Sequence, residues 1–233
     1  MSEDAKKIAF ISCVNDEEMY AECVRYLRHL DLPQDVSAEL VPVRGAPSMA
    51  AGYEAARRAS SARYKVYMHQ DILLTEKNVV ARLLEAFRAR PETGLLGFMG
   101  CRRLPPDGVW WNARECCGSV WQVRDPEAMV RVAYRPVPES GVEAQALDGM
   151  FLATQTNVPW REDIFTGWHF YDMSAAMEYR RRGMRLMILH FEKPPCIHET
   201  GRKRLDDSWE TARQVFLAEY GKELEHGREE ECR

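Results

Sequence analysis

The sequence predicts an α/β fold with a mixed, mostly parallel central sheet and a second half that carries additional, less regular structure. Two observations support this prediction. Strand-like apolar segments alternate with amphipathic helical segments over residues 7–100, and such alternation builds βαβ units whose sheet is covered by helices on both faces. The chain has 233 residues, 45% of them hydrophobic and 29% charged, which is enough to bury the core of one ordinary domain.

The first two strands and helices are predicted by apolar patterning and by residues that begin or end a helix. Residues 7–14 form a compact apolar, β-branched run of strand length. Asp16 then begins a segment with apolar residues on one helical face, and Pro33 closes it. Residues 36–43 are strand-like. Residues 47–60 are helix-like, with proline just inside the start and small residues throughout.

The third strand is predicted at residues 64–68 and runs directly into the tripeptide HQD at residues 69–71. A helix at residues 76–90 and a strand at residues 95–99 follow. In open parallel sheets, ligands bind beyond the carboxyl ends of the strands. The HQD tripeptide and Asn15 are both expected at that edge.

The second half departs from this regular pattern. Residues 101–145 are rich in Pro, Gly, Trp and Arg and contain two short alternating stretches, which predicts an irregular or antiparallel insertion. Regular structure resumes with an apolar strand at residues 146–153 and a helix at residues 172–182. A strand at residues 184–189 and a final helix at residues 207–220 complete the domain.

Composition and charge argue against binding to nucleic acid or anionic membranes, against a membrane span and against secretion. Lys and Arg number 32 against 36 Asp and Glu, for a net charge of −4, so nucleic acid and anionic membranes are not expected partners. Apolar runs are too short to span a bilayer, and the start MSEDAKK lacks the apolar core of a secretion signal. We therefore expect a cytoplasmic protein, with its seven cysteines as reduced thiols.

The common phosphate-binding motifs are absent, because neither GxGxxG nor GxxxxGK[ST] occurs in the sequence. A divalent cation held by carboxylate and imidazole is the obvious other way to hold phosphate. Asp71, at the end of an apolar strand, could ligate Mg²⁺ or Mn²⁺, or it could be a turn residue. His69 should point to the same side of the strand, although a histidine considered alone is more often packed or hydrogen-bonded than a metal ligand.

Three further segments contain side chains that could carry chemistry. The segment FTGWHFYD combines aromatic rings with a carboxylate, Asp172, that is either a base at the floor of a sugar-sized pocket or the N-cap of the next helix. Asp148 lies in an otherwise apolar strand and needs either a function or an arginine partner. His198 is predicted on a loop that follows a Pro-Pro turn and could fold back over the sheet edge.

Six motifs in this order carry a resemblance to a known family: SCVND, GAPSMAAGYEAA, YKVYMHQDILL, LDGMFLAT, FTGWHFYD and CIHETG. Together they resemble the bacterial glycosyltransferase-like proteins of the family-2 type, the group that includes a streptomycin-biosynthesis protein. The resemblance spans about residues 7–220. It implies a single GT-A domain over residues 1–233, with a nucleotide-binding half at about residues 7–100 and an acceptor-binding half at about residues 101–220.

The resemblance also implies chemistry: transfer of a sugar from a nucleoside-diphosphate sugar to an acceptor hydroxyl, assisted by Mn²⁺ or Mg²⁺. Asp71 matches the last aspartate of the DxD metal motif, in which His69 replaces the first aspartate. His198 lies where relatives use a late histidine as a metal ligand. Asp172 lies at the position of the catalytic base, which implies single displacement with inversion at the anomeric carbon.

The remaining site residues are assigned by the segments in which they lie. Asn15, Ser48, Gly52 and Tyr53 fall in segments that line the nucleotide in such enzymes. Trp168 would stack on a sugar face, and Asp148 and His169 would bind hydroxyls. The substrate-binding residues expected from the resemblance are therefore Asn15, Ser48, Gly52, Tyr53, His69, Gln70, Asp148, Gly149, Trp168 and His169.

Two other classes of function fit the same residues. The first is a hydrolase that uses Zn²⁺ or Fe²⁺, because the histidines and carboxylates could also form such a site. Zinc would then bind tightly and activity would be independent of any nucleotide. The second is a non-catalytic protein that keeps the nucleotide-sugar pocket without turnover, since one acidic residue in HQD weakens the metal site.

Overall fold

The structure of the protein is a computed structural model that describes residues 3–125, 128–199 and 206–229. The helices are α1 (Glu17–Arg28), α2 (Met49–Ala59), α3 (Val79–Ala89), α4 (Tyr171–Arg181) and α5 (Asp207–Glu229), with a short 3₁₀ helix at Trp110–Asn112. The strands are β1 (Asp4–Val14), β2 (Ser37–Arg44), β3 (Ala62–Met68), β4 (Ile72–Leu74), β5 (Thr93–Gly97), β6 (Met99–Cys101), β7 (Cys116–Asp125), β8 (Ala128–Ala133), β9 (Val142–Ala144), β10 (Ala146–Leu147), β11 (Phe151–Thr154), β12 (Arg185–Ile188) and β13 (Cys196–His198).

A seven-stranded sheet forms the centre of the fold, in the order β2-β1-β3-β11-β5-β12-β9. β1 is parallel to both β2 and β3, and β12 is parallel to β5, whereas β11 and β9 run antiparallel to their neighbours. Phe10 on β1 lies opposite Leu40 on β2 and Val66 on β3. The sheet is thus mixed and mostly parallel, as predicted, and the carboxyl ends of β1 and β3 lie side by side.

Side chains cap the first two helices, α1 at the predicted Asp16 and α2 at Ser48, so that Pro47 precedes α2 and does not lie just inside its start as predicted. The Asp16 carboxylate accepts hydrogen bonds from the backbone amides of Glu18 and Met19, both at 3.0 Å, and so begins α1. The Ser48 hydroxyl accepts from the Ala51 amide at 3.1 Å and begins α2 in the same way. Each cap places the start of its helix at the edge of the sheet where the preceding strand ends.

A second sheet holds the insertion and brings a late segment of the chain to the same edge. Its order is β10-β6-β7-β13-β4, with β8 paired to β7. β7 and β8 form an antiparallel pair, which confirms the antiparallel alternative predicted for residues 101–145. β4 follows β3 after a three-residue turn, so residues 69–71 connect the two sheets.

The structure corrects two predictions about local conformation. Residues 146–153 are not one strand but β10 and β11, separated by a turn in which the Asp148 carboxylate accepts from the Met150 amide at 2.9 Å. His198 does not lie on a loop: it ends β13, which pairs antiparallel with β4 and parallel with β7. β13 has three residues, too few to produce a periodic apolar signal in the sequence.

α5 is longer than predicted and runs on from residue 220 to Glu229. The Asp206 carboxylate precedes it and accepts from the Ser208 amide at 2.9 Å. Within the described part of the chain, no helix combines the length and the apolar character that crossing a bilayer requires.

Candidate active site

The HQD tripeptide forms the turn between β3 and β4. The His69 amide donates to the Met150 carbonyl at 3.1 Å, and the Asp71 carbonyl accepts from the Glu199 amide at 3.0 Å. These backbone bonds tie the turn to β11 on one side and to the end of β13 on the other. Asp71 is 3% exposed, whereas His69 is half-buried.

His198 lies directly beside this turn. Strand pairing sets His198 opposite Ile72, the first residue of β4. Its Nε2 is 3.5 Å from Asp71 Oδ1, and His69 Nδ1 is 3.8 Å from the same oxygen. One ligand atom from each of the three side chains lies within 4.8 Å of the others. The structure therefore brings together the two predicted metal ligands, Asp71 and His198, and adds His69 to them.

A divalent cation fits this group of side chains. Imidazole nitrogen and carboxylate oxygen are both common ligands of divalent metals. The separations of 3.5 and 3.8 Å are shorter than twice a metal–ligand bond of about 2.1 Å. A single ion could therefore contact Asp71 Oδ1 and either imidazole with little movement of the side chains.

Tyr171, the first residue of α4, joins the HQD turn to the turn between β10 and β11. Its hydroxyl lies 2.5 Å from His69 Nε2 and donates to the Gly149 carbonyl at 3.2 Å. Tyr171 lies in the FTGWHFYD segment but is not among the site residues predicted from the sequence. Its position next to Asp172 is the one local signal for a role in the site. Its contact with His69 could not be predicted, because the two residues are 102 positions apart in the sequence.

The Asp172 carboxylate contacts the turn formed by Asp148 and Gly149. One carboxylate oxygen accepts from the Gly149 amide at 3.0 Å, and the other from the Met173 amide at 2.9 Å. The N-cap position of α4 belongs to Phe170, so the structure rules out the alternative in which Asp172 is merely that cap. The pKa of the Asp172 carboxyl is raised to about 7, mainly by burial and secondly by the charge of Asp148, and hydrogen bonds from backbone amides only partly oppose this rise.

Comparison with known proteins places these residues in a family context. Residues 9–220 match the family described as "Glycosyltransferase like family". The chain belongs to this glycosyltransferase-like family. This match confirms the resemblance that the ordered motifs carry. No curated protein sequence matches the chain significantly.

Solved structures with the same architecture confirm the GT-A fold of this family member. The mannosyltransferase PcManGT from Pyrobaculum calidifontis, in complex with GDP-Man and Mn²⁺, is similar over 94% of this chain and 64% of its own, with a TM-score of 0.56 and 13% identity. Residues 1–349 of S. aureus TarS, in complex with UDP, are similar over 92% of this chain and 65% of that one, with a TM-score of 0.55 and 10% identity. The present chain thus spans less than two thirds of either solved chain.

Three polar residues predicted to bind substrate, Asn15, Ser48 and Gln70, lie at the carboxyl edge of the central sheet of this glycosyltransferase-like protein. Gln70 Oε1 accepts from the amides of Asn15 at 2.9 Å and Asp16 at 3.2 Å, which ties the HQD turn to the end of β1. Ser48 caps α2, and the next residue, Met49, donates its amide to the Gly167 carbonyl at 3.1 Å. Asn15 is exposed and Ser48 is buried.

Two other residues predicted to line the nucleotide lie in the core. A Cβ at Gly52 would lie 2.5 Å from Cys13 Sγ, so the absence of a side chain allows α2 to pack closely against β1. Tyr53 has no exposed surface, and its ring packs against those of Tyr171 and Trp160. Gly52 and Tyr53 therefore belong to the packed core beneath the site, and Tyr53 does not face solvent at the sheet edge.

The loop before α4 presents the remaining predicted residues. Trp168 is 45% exposed, and His169 is half-buried. Phe170, the next residue, has a left-handed backbone with φ of 59° and packs against Trp209 at the start of α5. The turn at Phe170 separates the exposed Trp168 from the buried side of α4.

Proposed function

We propose that this protein transfers a sugar from a nucleoside-diphosphate sugar to an acceptor hydroxyl with the help of a divalent cation. The observation that carries the proposal is one connected site: His69, Asp71 and His198 converge, and Tyr171 links them through Gly149 to the carboxylate of Asp172. The PcManGT and TarS structures, in complex with GDP-Man and with UDP, support a nucleotide-sugar donor.

The donor would bind on the first half of the domain, residues 7–100, and the acceptor on the second, residues 101–220. Ligands of open α/β sheets bind beyond the carboxyl ends of the strands, which is where Asn15 and the HQD turn lie. Ser48 begins the helix that follows β2. The exposed Asn15 and the start of α2 would give the nucleotide polar groups to contact at this edge of the sheet.

Asp71, His198 and His69 would hold Mn²⁺ or Mg²⁺. A cation bound there would offset the negative charge that grows on the departing nucleoside diphosphate. The protein contributes a nearly buried carboxylate between two half-buried imidazoles. Partial exclusion of water strengthens the attraction of these groups for a cation.

Asp172 would accept the proton of the acceptor hydroxyl. A carboxyl whose pKa is about 7 combines a useful ionised fraction at neutral pH with a stronger basicity than an ordinary aspartate has. The amides of Gly149 and Met173 fix both of its oxygens. One base that activates an incoming hydroxyl corresponds to a single displacement, with inversion at the anomeric carbon.

The acceptor side would be formed by the turn and the loop on either side of Asp172. Asp148 and Gly149 lie in the turn between β10 and β11, and Trp168 and His169 lie in the loop before α4. We assign Trp168 to stacking on a sugar face because its ring is exposed. Asp148 and His169 would bind hydroxyl groups.

Replacement of Asp172 tests this proposal. Asp172→Asn removes the base and keeps a side chain of the same shape. We expect transfer to fall by roughly 10²–10⁴-fold, while binding of UDP or GDP in the presence of Mn²⁺ is retained. The rate of transfer would be measured over a panel of nucleotide sugars. The matched control is Asp31→Asn, at an exposed aspartate that follows α1. Undiminished transfer by Asp172→Asn would eliminate Asp172 as the base.

Thermal shifts separate the proposal from the two other classes of function. Stabilisation by UDP or GDP that requires Mn²⁺ supports the transferase. Stabilisation by Zn²⁺ alone, with hydrolysis independent of nucleotide, would support the hydrolase instead. Nucleotide binding with no turnover of any sugar nucleotide would support a non-catalytic binding protein.

A further inference from the structure

The hydroxyl of Tyr171 has one proton and two polar neighbours. One neighbour, the Gly149 carbonyl at 3.2 Å, can only accept a hydrogen bond. The other, His69 Nε2 at 2.5 Å, can donate or accept, according to the tautomer of the imidazole. Both contacts are satisfied together only when the tyrosine donates to Gly149 and His69 donates Nε2–H to the tyrosine oxygen.

This assignment leaves His69 Nδ1 without a proton when the imidazole is neutral. Nδ1 is the nitrogen that faces Asp71, 3.8 Å from Oδ1. His198 Nε2 is 3.5 Å from the same oxygen, so Nδ1 and the carboxylate belong to the group of three side chains whose ligand atoms lie close together. A cation is the partner that suits this set of acceptor atoms.

We propose that Tyr171 is a positioning residue that holds His69 in the Nε2–H tautomer, so that Nδ1 is presented to a divalent cation shared with Asp71 and His198. The inference rests on the metal-assisted function proposed above. Outer hydrogen bonds of this kind orient a ligating imidazole and raise its basicity. An imidazole needs such a partner because its proton can lie on either nitrogen, and only the tautomer with the proton on Nε2 leaves Nδ1 able to bind a cation.

The surroundings of Tyr171 keep its hydroxyl in place. Its side chain is buried, and its ring packs edge-on against Tyr53, with centroids 5.8 Å apart. A Cβ at position 149 would lie 2.5 Å from the Tyr171 hydroxyl oxygen, so only glycine leaves room for this contact. The backbone of the first turn of α4 also fixes Tyr171 beside Asp172.

The same glycine connects the positioning residue to the proposed base. The carbonyl of Gly149 accepts from Tyr171, and its amide donates to Asp172 Oδ2 at 3.0 Å. One peptide segment thus sets the position of both the His69 imidazole and the Asp172 carboxylate. Loss of the Tyr171 hydroxyl is expected to act mainly on His69, since the bond from Gly149 to Asp172 does not use it.

Tyr171→Phe removes the hydroxyl and keeps the packed ring. We expect Mn²⁺ affinity to fall by roughly 10–100-fold, measured by calorimetry and by the spin resonance of free Mn²⁺. In metal-free protein, ¹⁵N spectra of the imidazoles should show His69 changing from one Nε2–H form to a mixture of tautomers. The matched control is Tyr67→Phe, which removes another buried phenol hydroxyl, bonded to Trp160 in the same aromatic cluster, and should change neither readout.

Either of two results in Tyr171→Phe would overturn the inference: a Mn²⁺ affinity equal to that of the unaltered protein, or an unaltered His69 tautomer. A similar loss of affinity in Tyr67→Phe would also overturn it, because general loosening of the aromatic cluster would then explain the effect. If the unaltered protein binds no Mn²⁺, the proposed metal-assisted function fails, and the nitrogen spectra still decide whether Tyr171 sets the tautomer.

Discussion

Asp148 and Asp172 are two carboxylates with different surroundings. Asp148 accepts from the Met150 amide in its own turn. The pKa of Asp172 is raised to about 7, first by burial and then by the charge of Asp148. A carboxyl whose pKa is raised towards neutral pH beside a second carboxylate is a common arrangement for acid–base chemistry.

We predict that Asp148→Asn lowers the pKa of Asp172. Neutralising Asp148 removes the like charge that disfavours the ionised form, whereas burial continues to hold the pKa above that of an ordinary aspartate. The acid limb of the rate profile, expected near pH 7 in the unaltered enzyme, should therefore move to lower pH. Carboxyl ¹³C spectra of Asp172 would give the same shift without turnover. An acid limb that stays in place would contradict the electrostatic link between the two groups.

At the scale of elements, the sequence predicted the first half more fully than the second. Residues 7–14 are an apolar run of strand length, residues 36–43 are strand-like and Asp16 is a strong helix cap, so local chemistry alone locates the first two strands and the first helix. β4, β10 and β13 have only two or three residues each. Their pairing depends on distant strands, and a short apolar run carries no periodic signal.

The same difference explains what could be predicted of the candidate site. Asp71, His198 and Asp172 could be identified because they lie in motifs that resemble a family, and the structure brings them into one region. The role of Tyr171 could not be identified, because a phenol ring in an aromatic segment is equally typical of the core and of a binding site. The three-dimensional contacts distinguish two tyrosines: the ring of Tyr53 is fully buried in the core, whereas the hydroxyl of Tyr171 contacts His69.

α4, which carries Asp172, is fastened to α5 by charged groups around Glu178. Glu178 is 7% exposed and accepts from the guanidinium groups of Arg181 and Arg182 and from the Tyr220 hydroxyl. Burial tends to raise the pKa of Glu178, but these hydrogen bonds outweigh it and leave the pKa below its ordinary value of 4.5. The ionised glutamate therefore contributes to the stability of the folded protein.

We predict that Glu178→Gln lowers the free energy of unfolding at pH 7 by about 1–3 kcal/mol, because hydrogen bonds to a buried charged group are lost. The loss should be fully present above pH 4.5 and should shrink as the pH falls through the lowered folded-state pKa. Denaturant unfolding across this range measures it. Glu223→Gln, at a partner of Arg181 that is 42% exposed, should cost less than about 1 kcal/mol. Equal losses in the two variants would contradict a special role for the buried glutamate.

For the whole molecule, the candidate metal site joins the two sheets. His69 and Asp71 form the turn that leads from β3 in the central sheet to β4 in the second, and His198 ends β13 in the second sheet. Two segments of the chain more than a hundred residues apart would thus be linked by one ion. Because these ligands are assembled only in the folded state, ion binding is expected to raise the melting temperature.

The composition of the site predicts which ion stabilises the protein most. Two of the three ligand atoms are imidazole nitrogens, which transition metals accept readily, whereas Mg²⁺ prefers oxygen ligands and gives up its water reluctantly. At equal concentration, Mn²⁺ should therefore raise the melting temperature more than Mg²⁺ does, and the difference should grow with ion concentration. His198→Ala should remove most of the Mn²⁺ effect, while His29→Ala, at an exposed histidine that follows α1, should leave it intact. Equal shifts with Mg²⁺ and Mn²⁺ would mean that the imidazoles do not bind the ion, and the site would then reduce to Asp71 and the diphosphate of the donor.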